Sequence, residues 1–339
     1  MWDTRRDLIK EIQEKRGTRV ICYVTSDRPN ATAIVAKDAL PIFVNQLRGI
    51  DNTKRLDVLV FTTGGDTLAA FSLGRLVREF GEWVGVLVPD RCLSAGTLFA
   101  LGANEIFMTR AGTLSPIDPS ITTPLNPTAD GPMPGQKQLL SVSVESVAGF
   151  RSLLEDEWSI KTEEMTAQIF KILADRVHPL ALGDVYRSRQ QIERLAHQLL
   201  TAHRSDEEAI QTIIKTLTRG LGSHDYPISR TEARKLMGSQ VADDDDSLED
   251  LVWRVYEDFR KELELGVAFN PATVLAQAKE KGQAPPTREQ LDLAVIESSI
   301  SRDVFEQEML LSESVVPGPV GPMKVAQQEI VRAGWSHYE

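Results

Sequence analysis

The sequence predicts an α/β fold built on a largely parallel sheet. Three observations carry that expectation. Apolar, β-branched runs recur at Thr18–Thr25, Asp57–Thr62, Trp83–Val88 and Glu105–Thr109. Segments with helical periodicity separate them. Two successive strands end in turns that open directly into helices, at Thr62-Thr-Gly-Gly-Asp66 and at Pro89-Asp-Arg-Cys-Leu-Ser-Ala-Gly96. Alternation of this kind implies βαβ units with a parallel sheet.

Each element follows from its residues. Leu8–Lys15 has a helical period. Ala36–Ile50 places Ala39, Leu40, Phe43, Val44, Leu47 and Ile50 on one helical face. The helix after Gly65 and the helix after Ser94 complete the alternating units. Residues 112–137 hold prolines and glycines among Ser, Thr and Asn, and read as a long loop, a rim or lid over a site. Helices are expected over Ser143–Leu154, Thr162–Leu173, Val185–His203 and Glu207–Leu217, and Ser229 with Glu232 forms a capping box. Asp243–Asp246 reads as a linker or a helix N-cap, because neighbouring carboxylates rarely converge on a metal. The segment from Asp250 to Leu265 is a candidate interface helix. These signals divide the chain into an α/β domain over residues 1–240 and a mostly helical C-terminal extension over 241–339.

Composition bounds the function. The chain has 339 residues, 42% of them hydrophobic, enough for a full core. A net charge of −11 argues against nucleic acid as partner, since phosphate contacts need clustered Lys and Arg. Two cysteines, Cys22 and Cys92, form no disulfide framework. The charged N-terminus has no signal-peptide pattern, and no apolar run is long enough to span a membrane. A cytoplasmic protein is expected.

The chemistry lies in the two turns. Ser94 stands at a strand–loop–helix junction, where helix-N-terminal amides favour an oxyanion. Acyl transfer needs a nucleophile, a base and donors aimed at the developing negative charge. Ser94 supplies the nucleophile, and the amides of Gly64 or Gly65 with that of Ala95 supply the donors. Glycine lets a carbonyl approach its N–H closely. Cys92 lacks the helix-start position and is set aside as a nucleophile.

Thr62-Thr-Gly-Gly-Asp66, Val88–Met108 and Leu114-Ser-Pro-Ile-Asp-Pro-Ser-Ile121 together resemble the serine dehydrogenase proteinase family. That family is similar to signal peptide peptidase A, the NfeD-type membrane-linked proteases and the Clp proteolytic subunit, all with the ClpP/crotonase fold. The resemblance spans at least residues 5–125. It implies stacked βαβ units, a serine endopeptidase acting on peptides or unfolded protein, Ser94 as nucleophile, Gly64 and Gly65 as oxyanion-hole glycines, no cofactor, and self-association into a homo-oligomer. Thr63 replaces the proline of the family's Thr-Pro-Gly-Gly loop, and Pro89-Asp-Arg-Cys-Leu93 replaces its Pro-His-Tyr-Ala-Met.

The base departs further. The Clp subunit carries its histidine near Pro116-Ile117-Asp118, and the NfeD-like relatives carry a lysine near Val147–Phe150; this chain has neither residue there. Lys137 is the first candidate base, with Asp118, Lys161, Lys171, His178 and His224 as others. A lysine in that role must be desolvated. A catalytically silent scaffold or peptide-binding module is the alternative reading, and an acyl-CoA-handling crotonase a further one. No metal-ligand spacing occurs in the sequence.

Overall fold

The computed structural model describes residues 2–50, 54–117, 120–121, 123–131, 137–140, 142–159, 162–283, 285–318 and 321–338. The chain forms two compact units, one from residues 1–114 with 229–339, the other from residues 115–228.

The first unit begins with α1 (Trp2–Arg16), β1 (Arg19–Thr25), α2 (Ala39–Gly49), β2 (Arg55–Phe61), α3 (Thr67–Phe80), β3 (Trp83–Val88), α4 (Ala95–Leu101) and β4 (Glu105–Met108). The strands β1 to β4 pair in parallel and in sequence order. Their residues are buried almost without interruption, which is why they read as continuous apolar runs rather than alternating ones. Alternate residues serve opposite faces. Val20, Cys22 and Val24 belong to the core that holds Leu8, Ile9 and Ile12 of α1. Tyr23, between them, meets Phe43 of α2 edge to face, with ring centroids 5.5 Å apart. Helices therefore cover both faces.

β2 opens on an exposed Arg55; Asp57, the charge within its buried run, is fully buried. It is tolerated because Arg16 grips it through Nε at 2.6 Å and Nη2 at 3.0 Å, while the Thr18 hydroxyl donates to it at 2.7 Å.

The second unit contains α5 (Val144–Ser152), α6 (Glu163–Arg176), α7 (Pro179–Thr201) and α8 (Glu207–Lys215). The helices α7 and α8 pack on each other and bury Leu195, Leu199, Ile210 and Ile213. The Pro- and Gly-rich stretch of residues 112–137 is partly strand: Thr113–Leu114 pairs with Arg91–Cys92 in the first unit. Within the second unit Thr128–Asp130 pairs with Lys137–Leu139.

The chain returns to the first unit through α9 (Arg230–Met237), α10 (Asp246–Glu262) and α11 (Pro271–Glu280). The capping box of Ser229 and Glu232 opens α9, and Asp245 caps α10 by accepting from the Ser247 and Leu248 amides. The segment from Asp250 to Leu265, expected as an interface helix, is core instead: Leu251, Val252, Val255, Tyr256, Phe259, Leu263 and Leu265 are buried in the cluster shared with α1.

The expectation of a mostly helical extension over 241–339 is corrected. Helix ends with α11, and three long strands follow: β5 (Thr287–Ser298), β6 (Arg302–Gly318) and β7 (Gly321–Tyr338). All run antiparallel, giving the sheet order β7-β6-β5-β1-β2-β3-β4. The physical reason is the open edge of β1. Ile21 pairs with Ser298 and Thr25 with Ala294, so β5 satisfies backbone groups that the parallel strands leave unpaired. A boundary at residue 240 thus cuts through one sheet, and the compact units fall elsewhere.

A buried ionic cluster ties the returning chain to the start. Arg5 is fully buried; it donates to Glu297 through Nε and Nη2, and to Asp258 and Glu262 at 2.6 Å each. Its guanidinium lies 4.0 Å from the centroid of the Phe259 ring. Burial pushes the Glu297 carboxyl up, and the Arg5 contacts oppose that.

Candidate active site

The site is built where β2 and β3 end. Both strands stop short of their turns, and the turns lace together. The Thr62 amide donates to the Arg91 carbonyl at 2.9 Å, and the Leu93 amide donates to the Thr62 carbonyl at 3.0 Å. The loops carrying the glycine pair and the serine are therefore held in register by backbone bonds.

Their meeting point is Gly64 and Ser94. A Cβ placed on Gly64 would lie 2.9 Å from Ser94 Cβ, 3.3 Å from the Leu93 carbonyl oxygen and 3.5 Å from Ser94 Oγ. Only a residue without a side chain fits beside the hydroxyl. Gly64 also has φ of +120° and Gly65 of +147°, conformations that L side chains rarely adopt.

Ser94 is itself in an unusual conformation. It has φ of +50° and ψ of −109° and directly precedes α4. A non-glycine residue with positive φ carries strain of about 1–3 kcal/mol, which surrounding structure has to hold. Its hydroxyl makes no bond to the helix amides, so it is not the ordinary N-cap that a serine at a helix start usually provides. The side chain is half-buried. Ser94 thus stands at a sharp strand-to-helix turn, and its side chain does not cap the helix that follows.

The donors differ from one another. The Gly64 amide donates to the Thr62 hydroxyl at 3.1 Å, and the Thr25 hydroxyl in turn donates to Thr62 Oγ1 at 2.8 Å. On the other side, Val35 forms a parallel bridge to Gly65: the Val35 amide donates to the Gly64 carbonyl and the Asp66 amide to the Val35 carbonyl, each at 2.8 Å. In such a bridge the Gly65 N–H points away from Val35. A Cβ on Gly65 would strike the Val35 carbonyl oxygen at 2.3 Å, so this glycine too is required. Asp66 then caps α3, accepting from the Leu68 and Ala69 amides. Ala95 is the first residue of α4 and is buried, so its N–H belongs to the group that has no partner within the helix.

Further residues brace the serine loop, and the sequence alone did not single them out. The Tyr256 hydroxyl on α10 donates to Asp90 at 2.6 Å, and Arg91 pairs with Asp27. Burial, first, and the Asp90 contact push the Tyr256 hydroxyl well above its ordinary value. Cys92 is fully buried, and burial alone pushes its thiol far up, which removes it as a nucleophile.

The candidate bases belong to the second unit. There Lys137 faces Asp130 across the short hairpin, with Nζ 2.8 Å from Oδ1, and is exposed. Lys171 is exposed on α6. His178 caps α7, its Nδ1 accepting from the Leu180 amide at 3.2 Å. His224 is half-buried in a turn. Asp118 and Lys161 lie outside the described residues.

The segment carrying both turns has relatives. Residues 1–129 match the ClpP-like SDH-type serine proteinase family. The matched stretch contains Gly64, Gly65, Ser94 and Ala95, and ends before Lys137. Two uncharacterized proteins of Methanocaldococcus jannaschii are similar over a longer span. One is 26% identical over 240 residues, 68% of this chain and 71% of the relative. The other is 27% identical over 236 residues, 67% of this chain and 68% of the relative. A solved structure, a mutant of the 1510-N membrane-bound stomatin-specific protease, aligns over 69% of this chain and 84% of its own, with 16% identity and a TM-score of 0.38. The mixed α/β sheet with parallel central strands agrees with the ClpP-like family. Among the described residues no helix is long and apolar enough to cross a membrane.

Proposed function

We propose that the chain is a serine endopeptidase of peptides or unfolded protein, working in the cytoplasm as a homo-oligomer and without a cofactor. The observation that carries this is the strained Ser94, with φ of +50°, set against a glycine whose missing Cβ leaves room beside Oγ. Ser94 Oγ attacks the scissile carbonyl carbon and its proton passes to a base. The carbonyl oxygen takes up negative charge and accepts from the N–H groups of Gly65 and Ala95; such a donor is worth about 3–4 kcal/mol in a comparable hole. The Gly64 amide is committed to Thr62, so Gly64 acts by giving space and Thr62 by fixing the turn. The base returns that proton to the nitrogen as the C–N bond breaks and the amine leaves, and water, deprotonated by the same base, then hydrolyses the Ser94 ester. Because Val35 holds one edge of the glycine turn, the substrate strand is assigned to the other side. The proton acceptor is sought among Lys137, Asp118, Lys161, Lys171, His178 and His224.

A fluorophosphonate probe tests the reading. Wild-type protein is labelled and Ser94→Ala is not. Absence of labelling in the assembled wild-type protein overturns the peptidase and leaves a peptide-binding scaffold. Alanine substitution of each candidate base, read by labelling rate, then identifies the acceptor as the one whose loss slows it by about 10²-fold or more.

A further inference from the structure

The acids of this chain outnumber its bases, 49 to 38, so a cation without a partner is not short of carboxylates. Two such cations line one cavity of the second unit. Its volume is about 560 Å³, the size of a small-molecule site. The helix α7 supplies one wall with Gln190, Arg194 and His197, and α8 the other with Gln211 and Lys215. The spacing i, i+4, i+7 on α7 and i, i+4 on α8 keeps these residues on one face of each helix. Arg219 joins them from the π-helical turn Thr216–Gly220, an irregularity frequent at functional sites. The acids nearby are engaged. Glu193, which also lines the cavity, accepts from Arg219 Nε at 3.1 Å and Nη2 at 2.5 Å. Glu207 lies 3.1 Å from the His197 ring and accepts from Gln211 at 2.7 Å. Among the described residues, Arg194 and Lys215 have no carboxylate partner.

We propose that this cavity binds a small phosphate-bearing anion. Arg194, Lys215 and Arg219 around the single acid Glu193 leave it positively charged, in a chain whose net charge is −11. Lys215 and Arg219 stand four residues apart, a like-charge pair that costs stability until an anion lies between them. The Arg194 guanidinium offers a planar fork of donors, and the Lys215 ammonium a compact charge with three. They belong to opposite walls, so the ligand has to accept from both sides. A carboxylate holds two oxygens in one plane, whereas a phosphate carries three terminal oxygens that spread in different directions. Gln190 and Gln211 each give one amide hydrogen within the fold, to Tyr186 and Glu207, and keep a second to donate. The site lies within the second unit and rests on none of the Ser94 chemistry.

The test is isothermal titration calorimetry of the full-length protein with inorganic pyrophosphate, in about 150 mM salt so that loose surface attraction is screened. Saturable binding is expected. Arg194→Gln and Lys215→Gln each weaken it by about tenfold or more, the loss of one hydrogen bond from a charged donor. Both positions are exposed, so both variants keep the wild-type unfolding midpoint to within a few degrees. Lys279→Gln removes an equal charge from the exposed side of α11 in the first unit and leaves Kd unchanged. Citrate, which carries its charge on carboxylates, binds about tenfold more weakly than pyrophosphate. Absence of saturation at millimolar pyrophosphate overturns the proposal. So does an unchanged Kd in either cavity variant, or an equal loss in Lys279→Gln, since each places binding elsewhere. Citrate binding as tight as pyrophosphate overturns it too, because the cavity then has no preference for phosphate.

Discussion

Replacing Gly64 by alanine probes the contact on which the active-site reading rests. Two costs follow from its surroundings. The new methyl would sit 2.9 Å from Ser94 Cβ, closer than real Cβ atoms come, and its backbone has φ of +120°. Holding a side chain in so sparsely populated a conformation costs about 1–3 kcal/mol. Forcing a methyl into a packed contact costs about 1–3 kcal/mol more. The neighbour that has to give is the serine, because the Leu93 carbonyl, 3.3 Å away, is held in the same loop. A displacement of about 1 Å at a reacting atom lowers rate by about 10²-fold. Gly64→Ala is therefore expected to lose a few kcal/mol in urea titration and to react with a fluorophosphonate about 10²-fold more slowly. The control is Gly17→Ala, also at positive φ (+61°) but with nothing within 4 Å of the added methyl. It should lose about 1 kcal/mol or slightly more and label at the wild-type rate. If Gly64→Ala labels as fast as Gly17→Ala, Ser94 does not depend on the glycine turn and the reasoning fails.

Three more outcomes follow from single residues. Ser94→Gly relieves a positive-φ strain and should raise stability by about 1 kcal/mol while abolishing labelling; a lower midpoint in urea would show that the backbone at this point is not strained. Arg5→Ala takes both guanidinium hydrogen bonds from buried Glu297, leaving it Arg302 at 3.8 Å, and should cost about 3–5 kcal/mol, measured by the same titration; a loss under 1 kcal/mol would mean that water reaches the cluster. Asp245 caps α10 as a carboxylate. Bonds from the Leu248 amide, then Lys15 and Ser247, hold its pKa down to about 2 against an ordinary 3.8. Its folded value is the lower one, so its stabilisation is complete above about pH 4 and fades as pH falls towards 2. Asp245→Asn should flatten the stability profile over that window, and an unchanged acid limb would refute the assignment.

The central half of the first unit was legible because its strands are buried on both faces. Continuous runs such as Leu56-Asp-Val-Leu-Val-Phe61, followed by turn residues and a helix, leave little choice of fold. The serine and glycine turns were legible for the same reason, since adjacent parallel strands bring their C-terminal ends together. What could not be read was anything set by distant pairing. Val35 carries no local sign that it bridges Gly65. The segment Thr287–Ser298 mixes charges with apolar residues, because Glu297 is neutralised by an arginine near the other end of the chain, and so its strand character was hidden. The Lys137 ammonium, sought as a base, was placed by a hairpin whose register with Asp130 is a property of the folded loop. Burial of Tyr256 beside Asp90 likewise depends on α10 returning to the serine loop.

The pairing of Ile21 with Ser298 has a consequence for biosynthesis. While a ribosome delivers the chain, the first strand emerges with one flank bare and waits for almost three hundred residues before its neighbour appears. Loop closure over such a separation is slow, and the residues between Leu114 and Ser229 have time to fold among themselves first. Until translation nears its end, the nascent sheet offers an adhesive border to any other extended segment nearby. Nonsense mutations before the final strands should therefore yield aggregates rather than a smaller folded protein.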